Sequence, residues 1–149
     1  MELKEKLHKA CEEYVLGKIK SLKHTFDELK SSSESESKST AGDKHETGRA
    51  MLQLEQEKNA EQMKQAEDLL SALQKIHFNT THSKIASGSL VETNRGAFYI
   101  SVSAGKIEVE GKVYFAVSAQ APIALKLLGL QEKAIAKFNG VEYQIQKVL

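Results

Sequence analysis

Apolar residues recur every three or four positions from Leu3 to Leu29, and no proline interrupts them. Leu3, Leu7, Ala10 or Cys11, and Tyr14 make one stripe. Val15, Ile19, Leu22, Phe26 and Leu29 continue it after a slip near Gly17 that resembles a coiled-coil stutter. At about 1.5 Å per residue such a helix is on the order of 40 Å long. A single helix cannot cover its own apolar stripe, so this stretch demands a partner. Residues 31–42, "SSSESESKSTAG", break the pattern with side chains that compete for helical hydrogen bonds, and predict a loop. The helical period returns from about Thr47 to His77. Leu52, Met63, Ala66, Leu70 and Leu73 share a stripe, with Ala60, Leu69 and Ile76 beside it. Residues 1–77 are therefore expected to form an antiparallel coiled-coil hairpin with its tip near 31–47.

After His77 the apolar period drops to two. "GSLVET" and "FYISV" read as strands around a turn at Asn94-Arg95-Gly96, and "KIEVE" and "VYFAV" as strands joined at Gly111-Lys112. "AIAKF" and "VEYQIQKVL" flank Asn139-Gly140, a strong signal for a tight primed turn. Between these strands, "APIALKLLG" places Pro122 at a first helical position and Gly129 at a helix stop. Residues 78–149 thus predict a small antiparallel β domain with one short helix. Only 6% of residues are aromatic and Trp is absent, which favours an elongated arrangement over one compact core. The fold class expected is α+β.

The overall charge, 21 basic against 20 acidic side chains, gives no sign of general nucleic-acid affinity. Residues 1–77 carry 13 basic and 15 acidic side chains, and residues 78–149 carry 8 and 5; the first half is slightly acidic and the second slightly basic. Cys11 is the only cysteine, so no internal disulfide and no Cys-based zinc site is expected. "MELKEKLHK" lacks the apolar core of a signal peptide, and no apolar run approaches the roughly 20 residues of a membrane span. A cytoplasmic, reduced setting is expected, without membrane association or sequence-specific DNA binding.

No Gly-rich phosphate loop and no G-x-S-x-G elbow occurs. Cys11 lies on or near the apolar stripe and reads as a packed thiol. His77 and His82 straddle the change of period; ordinary surface histidines are the commoner reading of such a pair. Asp43 and Glu46 hold more interest. By spacing alone they read as a helix cap and its N3 partner. Two carboxylates three residues apart at a helix start also share a face and supply oxygens to one Mg²⁺. Two ligands make an incomplete site, which suits donation to a partner's metal better than independent catalysis.

Gly42-Asp43-Lys44-His45-Glu46 and Ala121–Gly129 together make the chain resemble the Gre family of bacterial transcript-cleavage factors. The tip motif of that family is G-D-x-x-E. Its second-domain motif, S-P-I-A-x-x-L-L-G, is matched here by "APIALKLLG" in all but the leading Ser. "GSLVET" and "VEYQIQKV" are similar to the strands that open and close the family's FKBP-like domain. The resemblance implies an N-terminal coiled coil over 1–77 and an FKBP-like β domain over 78–149. It implies an accessory factor, not an enzyme, that binds bacterial RNA polymerase and inserts its coiled coil into the secondary channel. There Asp43 and Glu46 would be the catalytic acids, sharing Mg²⁺ with the polymerase and acting on the 3′ end of backtracked RNA. Ala121, Pro122 and Ile123 would dock the second domain on the channel rim. Where the family continues N-A-E-Y, this chain carries Thr47-Gly48-Arg49-Ala50, setting a cation beside the acids. Two alternatives stay open: a channel-occupying regulator that does not stimulate cleavage, and a coiled-coil interaction protein unrelated to transcription.

Overall fold

Long stretches without proline and with three-four apolar spacing form two long helices, α1 (Glu2–Ser37) and α2 (Gly42–Gln74). The computed structural model describes residues 2–37 and 42–149, with side chains for 2–34 and 48–149. The serine-rich run behaves differently from the expected loop, since α1 continues through it to Ser37 and α2 begins at Gly42, five residues before Thr47. Once a helix is nucleated each added residue costs little, so weak formers such as Ser extend it when neighbours give support. Here Ser33 lines a groove with Leu52 and Gln56 of α2.

Six strands follow: β1 (Leu90–Thr93), β2 (Gly96–Ser101), β3 (Gly105–Val109), β4 (Lys112–Ser118), β5 (Ile135–Phe138) and β6 (Val141–Val148), with α3 (Pro122–Leu127) between β4 and β5. The sheet order is β3-β4-β2-β1-β6-β5. It is mixed and not wholly antiparallel, because β2 and β4 run parallel, Ala97 opposite Tyr114 through Ser101 opposite Ser118. The cause is the route of the chain. The short link after Ser101 carries it past one position to form the edge strand β3, and the β3–β4 hairpin then folds back into the gap. The turn of that hairpin is Glu110-Gly111, with φ of 52° and 79°, one residue earlier than the sequence suggests. Asn139 and Gly140 have φ of 52° and 73°, the two left-handed positions a primed turn requires.

Two compact units result. The first joins residues 1–14 to residues 69–149. Its sheet is covered on both faces, so β2 is buried on both sides. Ala97 and Tyr99 enter one core with Leu7, Cys11 and Leu73 of the helices, Leu90, Ile107 and Tyr114. Phe98 and Ile100 enter the other with Val91, Ala124 and Leu127 of α3, Ala136 and Ile145. Alternation along one strand thus feeds two apolar layers. The base of the hairpin lies in the first core because Leu7, Cys11 and Leu73 are fully buried there.

The second unit spans Val15–Asp68. Its helices run antiparallel: Ile19, Lys23 and Phe26 face Asn59, Ala60, Met63 and Glu67, whereas Ser33 faces Arg49 and Leu52. Asn59 donates from Nδ2 to the Leu22 carbonyl at 3.1 Å. Packing is thin, as expected of two helices alone. Tyr14, on the first unit's stretch of α1, and Phe26 are each 45% exposed, so the apolar stripe read from the sequence is only partly covered.

Candidate functional site

Gly42-Asp43-Lys44-His45-Glu46 opens α2, the second helix of the hairpin, shortly after α1 has ended at Ser37. Asp43 and Glu46 therefore occupy positions i and i+3 of helical backbone. Their side chains lie outside the described residues. The neighbouring described positions are Gly48, half-buried, and Arg49, exposed. Arg49 lines a groove of about 410 Å³ with Ser33, Leu52, Gln53 and Gln56. Among the described residues it makes no ion pair. No group of three or more His, Cys, Asp or Glu side chains among the described residues is placed to hold a metal ion.

The second candidate segment is α3 and its flanks. Ala121 takes an extended conformation (φ −63°, ψ 144°) at the N-cap and Pro122 starts the helix. The Ala121 amide donates to the Ser118 carbonyl at 3.0 Å, and Ser118 Oγ accepts from the Gln120 amide at 3.1 Å. The far end is tied down by Gly129, whose amide donates to the Ile85 carbonyl at 2.8 Å, and by the Ile85 amide donating to Leu130 at 2.9 Å. Ala124 and Leu127 are fully buried, and half-buried Ala121 and Ile123 pack on the same core. Pro122 is exposed and Leu125 is 61% exposed. The outward apolar surface of this segment is therefore Pro122 and Leu125. Leu125 was legible in principle: it stands three residues after Pro122 and off the Ala124–Leu127 inner face.

A buried polar cluster holds α1 to the sheet. His8 Nδ1 and Tyr99 Oη are 2.9 Å apart, and the His8 ring lies 4.8 Å from Phe78. Desolvation holds His8 below its ordinary pKa of 6.5, with Glu12 pulling the other way; burial pushes the Tyr99 phenol up. Neutral His8 and protonated Tyr99 suit a single shared hydrogen. Lys4, also buried, donates to the Thr80 carbonyl at 2.6 Å. The Cys11 thiol is pushed up to about 11 by burial, partly offset by a hydrogen bond from Ser101. A thiol held protonated at neutral pH is a packing group, not a nucleophile. His77 is exposed. His82, half-buried with Nδ1 covered and unpartnered among the described residues, is shifted down by desolvation and by Lys4.

These elements define an α+β chain: an N-terminal antiparallel helical hairpin followed by a small mixed-sheet domain with one short helix. No protein-family model matches the sequence, and no curated protein sequence matches it. Among solved structures it is similar to GreA factor homolog 1 (Gfh1) of Thermus thermophilus, at 15% identity over 95% of this chain and 96% of that one, with a TM-score of 0.41. It is also similar to a second structure of the transcription factor Gfh1, at 16% identity over 94% of each chain, with a TM-score of 0.38. No helix among the described residues is long and apolar enough to cross a membrane.

Proposed function

We propose that this chain is a transcription elongation factor. It binds bacterial RNA polymerase, enters the secondary channel with its helical hairpin and stimulates Mg²⁺-dependent cleavage of backtracked RNA. The observation that carries the reading is the position of Gly42–Glu46: these residues open α2, the helix that runs antiparallel to α1. Carboxylates there are far along the chain from the sheet, as a donor to another molecule's site must be. The motif over Ala121–Gly129 supports the same reading, with Pro122 and Leu125 as the apolar contact with the channel rim.

Asp43 and Glu46 would hold a Mg²⁺ shared with the polymerase. When bound, such an ion lowers the pKa of a coordinated water and orients it for phosphodiester hydrolysis. The chain contributes acids and position; the polymerase contributes the remaining ligands and the RNA. On this reading the protein is an accessory factor and no enzyme in its own right.

The test is a stalled, backtracked polymerase complex with and without the protein. Added protein releases short 3′ fragments. Asp43→Asn with Glu46→Gln removes that release while polymerase binding persists. Unchanged cleavage in the double variant refutes the role of the acids.

Arg49 favours a second reading. Exposed, unpaired among the described residues and three positions after Glu46, it competes with a cation for the same carboxylates. In that case the protein occupies the channel and binds polymerase without stimulating cleavage, and Arg49→Ala raises cleavage.

A further inference from the structure

Asn59 is the exception in the Val15–Asp68 unit. Only Val15, Ala66 and Asn59 are buried among the described residues of that unit. Asn59 is 4% exposed, its Nδ2 donates to a main-chain carbonyl of the opposite helix, and its Oδ1 is covered with no partner among the described residues. Apolar packing around it is sparse. On α2, residues 53, 55, 56, 57 and 58 are all polar, and the adjoining groove of about 430 Å³ leaves Phe26 half exposed. Leu54 and Met51 are each 65% exposed. Hydrophobic matching therefore specifies the pairing of the two helices weakly along this stretch. A buried amide at a helix–helix seam adds specificity at a cost in stability, since every displaced pairing strands its donor.

We infer that Asn59 is a positioning residue: its bond to Leu22 clamps α2 against α1 midway along the hairpin and selects one arrangement of the helices beyond it. The clamp stands on the structure of the hairpin alone. Its consequence for the acidic run at Gly42–Glu46 rests on the function proposed above. The orphaned Oδ1 marks the trade: an apolar side chain of the same size would suit stability better, and only the donor at Nδ2 supplies direction.

Spin labels at Lys30 and Glu55, both exposed, test this in a Cys11→Ala background by pulsed dipolar spectroscopy of the whole protein. With Asn59 present the distance distribution is single and narrow. Asn59→Leu is expected to raise the melting temperature yet broaden the distribution, adding separations displaced by up to about one helical turn, roughly 5 Å. Asn59→Asp, isosteric but without the donor, broadens it in the same way. A narrow distribution in Asn59→Leu, superimposable on that of the unsubstituted protein, overturns the inference. In the cleavage assay the same variant should keep polymerase affinity and lose cleavage rate. Absence of cleavage by the unsubstituted protein counts against the proposed function and leaves the distance measurement to decide the clamp.

Discussion

Tyr99→Phe deletes one oxygen from the centre of the sheet unit and should cost far more than its size suggests. Tyr99 is fully buried and His8 only 7% exposed, so neither polar atom has water in reserve. Among the described residues their 2.9 Å contact is the one hydrogen bond of His8 Nδ1. Removing the hydroxyl strands that nitrogen, and a buried polar group left unpaired costs about 1–3 kcal/mol. For a cooperative unit of about a hundred residues each kcal/mol moves the midpoint by roughly 4–8 °C. A fall on the order of 10 °C is therefore expected by calorimetry, with a matching loss in urea midpoint and no change in slope. His8→Leu strands Tyr99 Oη and should cost a similar amount. The double variant removes both polar ends, so its loss should be smaller than the sum by about 1 kcal/mol or more. Strict additivity, or a Tyr99→Phe melt within about a degree of the parent, refutes the reasoning.

Four further expectations follow from the same unit. His8 and His82 both lie below the ordinary 6.5, so the unfolded chain takes up protons first on acidification. Stability from them is full above pH 6.5 and falls as pH drops below it, and His8→Leu should flatten thermal midpoints measured across that window. Leu127→Ala, at a fully buried site, should cost about 2–5 kcal/mol in urea unfolding. Leu125→Ala, two residues away and exposed, should stay within about 0.5 kcal/mol and, if the function proposed above holds, weaken polymerase binding. Gly88→Ala should lower the urea midpoint by the equivalent of about 1–2 kcal/mol or more: its φ is +92°, and an added Cβ would stand 2.8 Å from the His77 carbonyl oxygen.

Local features and the pairing of the two amphipathic helices were legible in the residues, and pairings between distant strands were not. Asn139-Gly140 announced its turn because both residues must adopt positive φ, a property of the dipeptide itself. The other primed turn was misplaced by one, since Gly111 takes the second central position and leaves the first to Glu110. The helix through Ser31–Ser37 was missed because propensity is a weak local term, easily outweighed by extension from an established helix and support from the opposite one. The parallel β2–β4 pairing was hidden, because nothing within either strand records which neighbour it will meet. At the candidate site, the spacing of Asp43 and Glu46 could be read directly, whereas the outward face of Leu125 depends on which side of α3 meets the sheet. His8 and Tyr99 lie 91 positions apart, beyond any periodicity, although a histidine beside Leu7 and one turn before Cys11 hints at an inward face.

The discontinuous first unit, residues 1–14 with 69–149, has a consequence for biosynthesis. Translation delivers Leu7, His8 and Cys11 about ninety residues before their partner strand β2. The sheet closes later still, because β6 sits between β1 and β5 and follows the other five strands in the chain. Leu149 exchanges two hydrogen bonds with Leu90 at 3.0 and 2.9 Å. Until β2 emerges the inner face of residues 7–11 stays open to chaperones, and until β6 emerges β1 keeps a bare edge prone to mispairing. A variant lacking β6 would lose the strand that joins β1 to β5, so deletion of residues 141–148 should yield an aggregating product, not a partly active one.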